Sequence, residues 1–142
     1  MMPDQKDRKG EESMIIVGYD GSKVAEEVLA LAKKHAKGFG WKVVIITSMK
    51  GGADIPRDDF IKAEKLLARA EADFKDEEIP CETHLSVRGL EPGEDLVKFA
   101  EETGAREILL GVKRRSKVGK LLFGSNAQYT ILNAPCPVVS IR

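Results

Sequence analysis

A chain of 142 residues has room for one domain around one core. Its 42% apolar and 6% aromatic residues exclude wholesale disorder, and no apolar run approaches the roughly 18 residues that a membrane helix needs. The 23 basic and 23 acidic residues cancel, but from Ile108 to Arg142 there is no Asp or Glu against six basic residues, so the remainder of the chain is net acidic and the basic segment predicts a bound anion.

Residues 1–13 are almost entirely polar or charged and read as a disordered tail. They lack the apolar stretch of a signal peptide, which predicts a cytoplasmic protein. Met14-Ile15-Ile16-Val17 has the continuous β-branched character of a strand buried on both faces. Val24, Val28, Leu31 and Ala32 then recur at helical spacing up to Lys37, with Gly38 in the place of a C-cap. Val43 to Ile46 forms a second strand, and Gly51, Gly52 and Pro56 mark a loop. From Asp58 to Lys75 the stripe Phe60, Ala63, Leu67, Ala70 and Phe74 predicts a long helix.

His84 to Val87 alternates polar and apolar residues, as an edge strand does. Pro92 opens a short helix carrying Leu96, Val97 and Ala100. Ile108-Leu109-Leu110 is the fourth strand, the segment 111–124 a loop, Ser125 to Leu132 a helix, and Val138 to Ile141 the fifth strand. Strict β/α alternation gives one open parallel five-stranded sheet with helices on both faces, because crossovers between parallel strands are right-handed. No internal repeat and no second domain is evident. The predicted organisation is a tail over 1–13 and an α/β domain over 14–142.

Ligands of open parallel sheets bind outside the carboxyl ends of the strands, where the strand order reverses. Two loops suit that position. One is Tyr19-Asp20-Gly21-Ser22 after the first strand; the other runs from Gly111 after the fourth strand to Gly124-Ser125-Asn126. Glycines let backbone N–H groups approach phosphate oxygens, and a helix start at Gly124-Ser125 favours an anion. The basic side chains Lys113, Arg114, Arg115, Lys117 and Lys120 lie between. Structural roles compete at both loops. Ser125-Asn-Ala-Gln128 fits a capping box, and Asp20 with Ser22 fits the cap of the first helix.

At these loops the sequence resembles the universal stress protein family. Ile16-Val17-Gly18-Tyr19-Asp20-Gly21-Ser22 is similar to that family's first-strand motif, hydrophobic residues followed by D-G-S. Gly111, Gly124 and Ser125 match its nucleotide motif, G-x2-G-x9-G-[ST], with Arg114 replacing the second glycine. Gly89 and the ending Cys136-Pro137-Val138-Val139-Ser140-Ile141 look like further family elements. The resemblance implies a Rossmann-like sheet of order 3-2-1-4-5 that binds ATP, with or without Mg, in a stress-response or regulatory role. It implies Asp20, with Gly21 and Ser22, near the adenosine, Gly111, Gly124, Ser125 and Asn126 around ribose and phosphates, and Thr47, Ser48 and Met49 against the adenine. Arg114 either crowds the site or pairs with a phosphate. A homodimer through the C-terminal strand is implied too, and an exposed apolar edge at Val138–Ile141 favours pairing independently.

The main alternative is a dimeric interaction module of the same family that binds no nucleotide. Nucleic-acid binding through the basic loop is disfavoured by zero net charge and by aromatics that are not interleaved with the basic cluster. A phospho-acceptor receiver domain is disfavoured because Asp20 stands without an acidic neighbour. There is no GxxxxGK[ST] and no GxGxxG. Neither His35 nor His84 has a ligand set nearby, and Cys81 and Cys136 are too isolated for a zinc site or disulfide framework. One carboxylate and a glycine loop amount to binding rather than catalysis, so the expectation is a non-enzyme with at most very slow ATP hydrolysis.

Overall fold

The computed structural model describes residues 13–51, 54–112 and 124–142. Nine elements alternate along the chain: β1 (Met14–Gly18), α1 (Lys23–Phe39), β2 (Lys42–Ser48), α2 (Arg57–Asp76), β3 (Cys81–Ser86), α3 (Pro92–Thr103), β4 (Glu107–Gly111), α4 (Ser125–Asn133) and β5 (Val138–Ile141). All strand pairs are parallel, as the β/α alternation predicts, and the sheet order is β3-β2-β1-β4-β5, as the family resemblance implies.

The sheet separates two apolar layers because alternate side chains of a strand point to opposite faces. Ile15, Val17, Val43 and Ile45 pack with Val28, Leu67 and Phe74 beneath α1 and α2. Ile16, Val44, Ile46 and Ile108 pack with Leu96 and Ala100 on the α3 side. Ile15, Ile16 and Val17 are all fully buried, which is why β1 reads as an unbroken apolar run. β3 is an edge strand whose exposure alternates. It begins at Cys81, before the predicted His84, because backbone pairing with Val43 and Val44 of β2 carries it rather than an apolar run.

Further details differ from expectation. α1 continues through Gly38 to Phe39, and Gly40 is its C-cap, with φ of 73° and its N–H donating to Ala36 O at 2.8 Å. Phe39 stacks on Trp41 with ring centroids 4.5 Å apart, which holds that last turn. Ser13, assigned to the tail by sequence, is buried: its carbonyl accepts the Lys42 N–H at 3.0 Å and its hydroxyl accepts from Arg106 Nε at 3.1 Å. The rest of that tail lies outside the described residues. α4 begins at Ser125 as predicted, but Ser125 is its first helical residue and Gly124 takes the N-cap place.

Candidate functional site

The chain crosses from β1 toward β2 and β3 on one side and returns to β4 and β5 on the other, so the strand order reverses at the β1–β4 pair. A cavity of about 230 Å3 lies at the carboxyl ends there. Tyr19 and Asp20 after β1, Thr47 and Ser48 of β2, and Gly111 of β4 form its sheet side. The first two turns of α3 and α4 close it with Pro92, Leu96, Asn126 and Thr130.

Each wall is fixed locally. Ser22 caps α1, its Oγ accepting the Ala25 N–H at 3.2 Å. Asp20 turns back so that Oδ1 accepts the Ser22 N–H at 2.9 Å. Gly21 adopts φ of 77°, a conformation that glycine takes without strain. The Thr47 hydroxyl donates to Tyr19 O at 2.7 Å and ties the ends of β1 and β2 together. Tyr19 itself is buried, and its hydroxyl donates to Glu26 on α1. Burial and the Glu26 carboxylate push that phenol up to about 12, so it stays protonated.

The α3–α4 seam is close. Gly93 N–H donates to Asn126 Oδ1 at 2.9 Å, and a Cβ on Gly93 would stand 2.6 Å from Asn126 O. Asn126 thereby fixes the two helix starts against each other. The start of α4 differs from that of α3: among the described residues no side chain caps it, and Gly124 holds the N-cap place, its carbonyl accepting the Gln128 N–H at 3.0 Å. The capping box expected at Ser125 is absent for this reason. The first-turn N–H groups and the helix dipole give that end a positive character.

Behind Ser48 lies a buried carboxylate. Asp95 is 1% exposed and accepts Ser48 Oγ at 2.7 Å and Arg88 Nε at 2.6 Å. Arg88 also reaches Glu102 at 3.0 Å and lies 4.3 Å over the Phe99 ring. Burial alone would raise the Asp95 carboxyl, but hydrogen bonds from Ser86, Ser48 and Arg88 outweigh it and hold the group below its ordinary 3.8. Among the described residues no cluster of three or more His, Cys, Asp and Glu could hold a metal ion, and no helix is long and apolar enough to cross a membrane.

Residues 13–142 match the model of the universal stress protein family. The chain belongs to that family. A universal stress protein of Thermus aquaticus, named for its place in the QAH/OAS sulfhydrylase 3' region, is 30% identical over 137 residues, covering 90% of this chain and 97% of its own. The solved structure of a universal stress protein from Archaeoglobus fulgidus is 40% identical, with a TM-score of 0.83 over 92% of this chain and 98% of that one. A second structure, the universal stress protein from Archaeoglobus fulgidus in complex with dAMP, is 36% identical with a TM-score of 0.79 and the same coverage.

Of the positions that the family resemblance picks out, Asp20, Thr47, Ser48, Gly111 and Asn126 line one cavity. Gly21 and Ser22 stand beside it as turn and helix cap. Gly124 and Ser125 are exposed at the start of α4, next in sequence to the lining residue Asn126. Arg114 and the basic segment 113–123 lie outside the described residues. Sequence reasoning missed Pro92, Leu96, Thr130 and, behind them, Asp95. The one available signal was Gly93 in the first turn of a helix, where only close approach of another backbone explains a glycine.

Proposed function

We propose that this universal stress protein binds an adenine nucleotide in the cleft at the carboxyl ends of β1, β2 and β4. The observation that carries the reading is the start of α4 at Gly124–Ser125, which no side chain among the described residues caps, adjoining a cavity whose β1 rim bears the Asp20 carboxylate. An N-terminal helix end attracts phosphate, and a carboxylate accepts hydrogen bonds from ribose hydroxyls. The cavity is smaller than the roughly 300–1,000 Å3 of common ligand pockets, which suits enclosure of base and ribose with phosphates at the mouth. The dAMP complex of a relative 36% identical supports the same ligand class.

The finer reading is ATP. Magnesium would arrive on the phosphates, because Asp20 is the one carboxylate among the described lining residues. That composition supplies no positioned base for an attacking water, so the protein holds nucleotide without appreciable hydrolysis. In the cell it acts as a cytoplasmic, nucleotide-responsive regulator of the stress response. Its unit is a homodimer joined along β5, which pairs with β4 on one edge only, beside a Leu132 that is 74% exposed. Sedimentation at twice the 15.6 kDa chain mass is expected, and a monomer at high concentration would refute the dimer.

Calorimetric titration of nucleotide-stripped protein with ATP, with and without Mg²⁺, tests the proposal. The expected result is micromolar binding that weakens at least tenfold in Gly124→Val and Asp20→Ala. No heat at two temperatures, with folding intact, would refute it and leave a dimeric interaction module.

A further inference from the structure

The cleft's hydroxyl groups share a property that fixes which ligand edge they accept. A hydroxyl has one hydrogen to donate and two lone pairs to accept with. Thr47 gives its hydrogen to Tyr19 O at 2.7 Å, and Thr130 gives its hydrogen to Asn126 O at 2.7 Å. A carbonyl oxygen cannot donate, so the direction of both bonds is settled. Ser48 is bonded to Asp95 Oδ2 at 2.7 Å, and Asp95 is a buried carboxylate already matched by Arg88 Nε on its other oxygen. An ionised carboxylate only accepts, so the Ser48 hydrogen also points into the protein.

Thr130 is fully buried, so the hydroxyls left on the cleft are those of Thr47 and Ser48, and both present only lone pairs to it. The start of α3 adds no compensating donor from its first two residues: Pro92 has no N–H, and that of Gly93 is taken by Asn126 Oδ1. The side of the cleft formed by β2 and α3 is acceptor-rich, while the backbone donors of α4 lie at its other helix.

We infer that Asp95 sets this polarity through Ser48, and that the β2 wall thereby selects a purine bearing a 6-amino group over one bearing a 6-keto group. The inference rests on the nucleotide reading of the cleft. A 6-amine donates to the outward lone pair of Ser48. A 6-oxygen in the same place sets lone pair against lone pair and leaves a desolvated acceptor unmatched, which is how polar sites reject near-isosteric ligands. Asp95 is a positioning residue here: it touches no ligand and acts by orienting one hydrogen.

The Asp95→Asn variant reverses that orientation without changing shape. With its Oδ1 kept against Arg88, the new amide nitrogen faces Ser48 and donates to it, and the Ser48 hydrogen is released toward the cavity. Ser48→Ala removes the group altogether and leaves the Asp95–Arg88 pair in place.

AMP and IMP are the probes, since they differ only at the purine 6-position and N1. Binding of each is measured by calorimetry on the full chain, with circular dichroism confirming the fold of each variant. Wild type is expected to prefer AMP by roughly tenfold or more. In Ser48→Ala that ratio shrinks severalfold, and in Asp95→Asn it falls toward or below unity. A merely structural role for Asp95 would weaken both nucleotides together and leave the ratio intact. An AMP-binding wild type with an unchanged ratio in Ser48→Ala overturns the inference even if Asp95→Asn does not fold. A wild type that binds neither nucleotide overturns the nucleotide reading as well.

Discussion

Replacing Gly93 by alanine drives a methyl group into the seam between α3 and α4. The added Cβ would lie 2.6 Å from Asn126 O, 3.0 Å from its Cα and 3.2 Å from its carbonyl carbon. Carbon contacts are comfortable at about 3.5–4.0 Å, so the seam must open by roughly 0.5–1 Å. The obstructing atoms are backbone of the first turn of α4, and no rotamer change relieves them. Overpacking of this kind costs ~1–3 kcal/mol. Alanine returns up to ~1 kcal/mol through its better helix propensity, which leaves a net loss of about 1–2 kcal/mol. At about 3 °C per kcal/mol for a chain of this length, Tm falls by roughly 3–6 °C. The same opening stretches the bond from Gly93 N–H to Asn126 Oδ1 and separates Pro92 from Asn126 across the cleft, so AMP affinity falls roughly tenfold.

Urea unfolding followed by the fluorescence of Trp41, the chain's single tryptophan, measures the stability change, and calorimetry measures the affinity. Gly38→Ala is the control. It is exposed within α1 with nothing within 4 Å of the added Cβ, and it should stabilise by about 0.5–1 kcal/mol. A Gly93→Ala protein as stable as wild type and binding AMP equally well would refute the argument that this seam positions the cleft.

Two further outcomes follow from individual contacts. Ser22→Ala removes the cap of α1 and should cost ~1 kcal/mol while leaving AMP affinity within about twofold of wild type, because that hydroxyl serves Ala25 N–H; a large affinity loss would return Ser22 to the ligand. Asp95 binds its proton less readily folded than unfolded, so its contribution is present above its ordinary 3.8 and is lost as pH falls from there through the lower folded value. Asp95→Asn should thus be less stable than wild type at pH 7, and the gap should close in acid. A gap that stayed constant down to pH 2 would show that the carboxylate charge contributes nothing.

The fold was legible because three strands are buried on both faces. β1, β2 and β4 read as unbroken apolar runs, and nothing but a covered parallel sheet accommodates them. Where burial is one-sided, the reading blurred: β3 is held by backbone pairing, and Cys81, Glu82 and Thr83 carry no apolar pattern. Helix ends were misplaced where tertiary contacts decide them. Phe39 keeps Gly38 inside α1 by stacking on Trp41, and at α4 Gly124 rather than Ser125 holds the N-cap place. Residues that follow strands in sequence, such as Asp20 and Gly111, were recognisable as site positions because topology places strand ends together. Asp95 was not, since an acidic residue in the first turn of a helix ordinarily serves the dipole in solvent. Only the structure shows that it points inward, to Ser48 and Arg88.

The central claim is that an adenine nucleotide occupies the cleft, and a titration of ¹⁵N-labelled protein with AMP followed by amide chemical shifts tests it most directly. Saturating AMP is expected to move the amides of Tyr19–Ser22, Thr47–Met49, Gly111–Val112 and Gly124–Ala127 together, with one dissociation constant. No shift at saturation, or shifts confined to the basic face of α2 at Lys62, Lys65 and Arg69, where a second cavity lies, would contradict it.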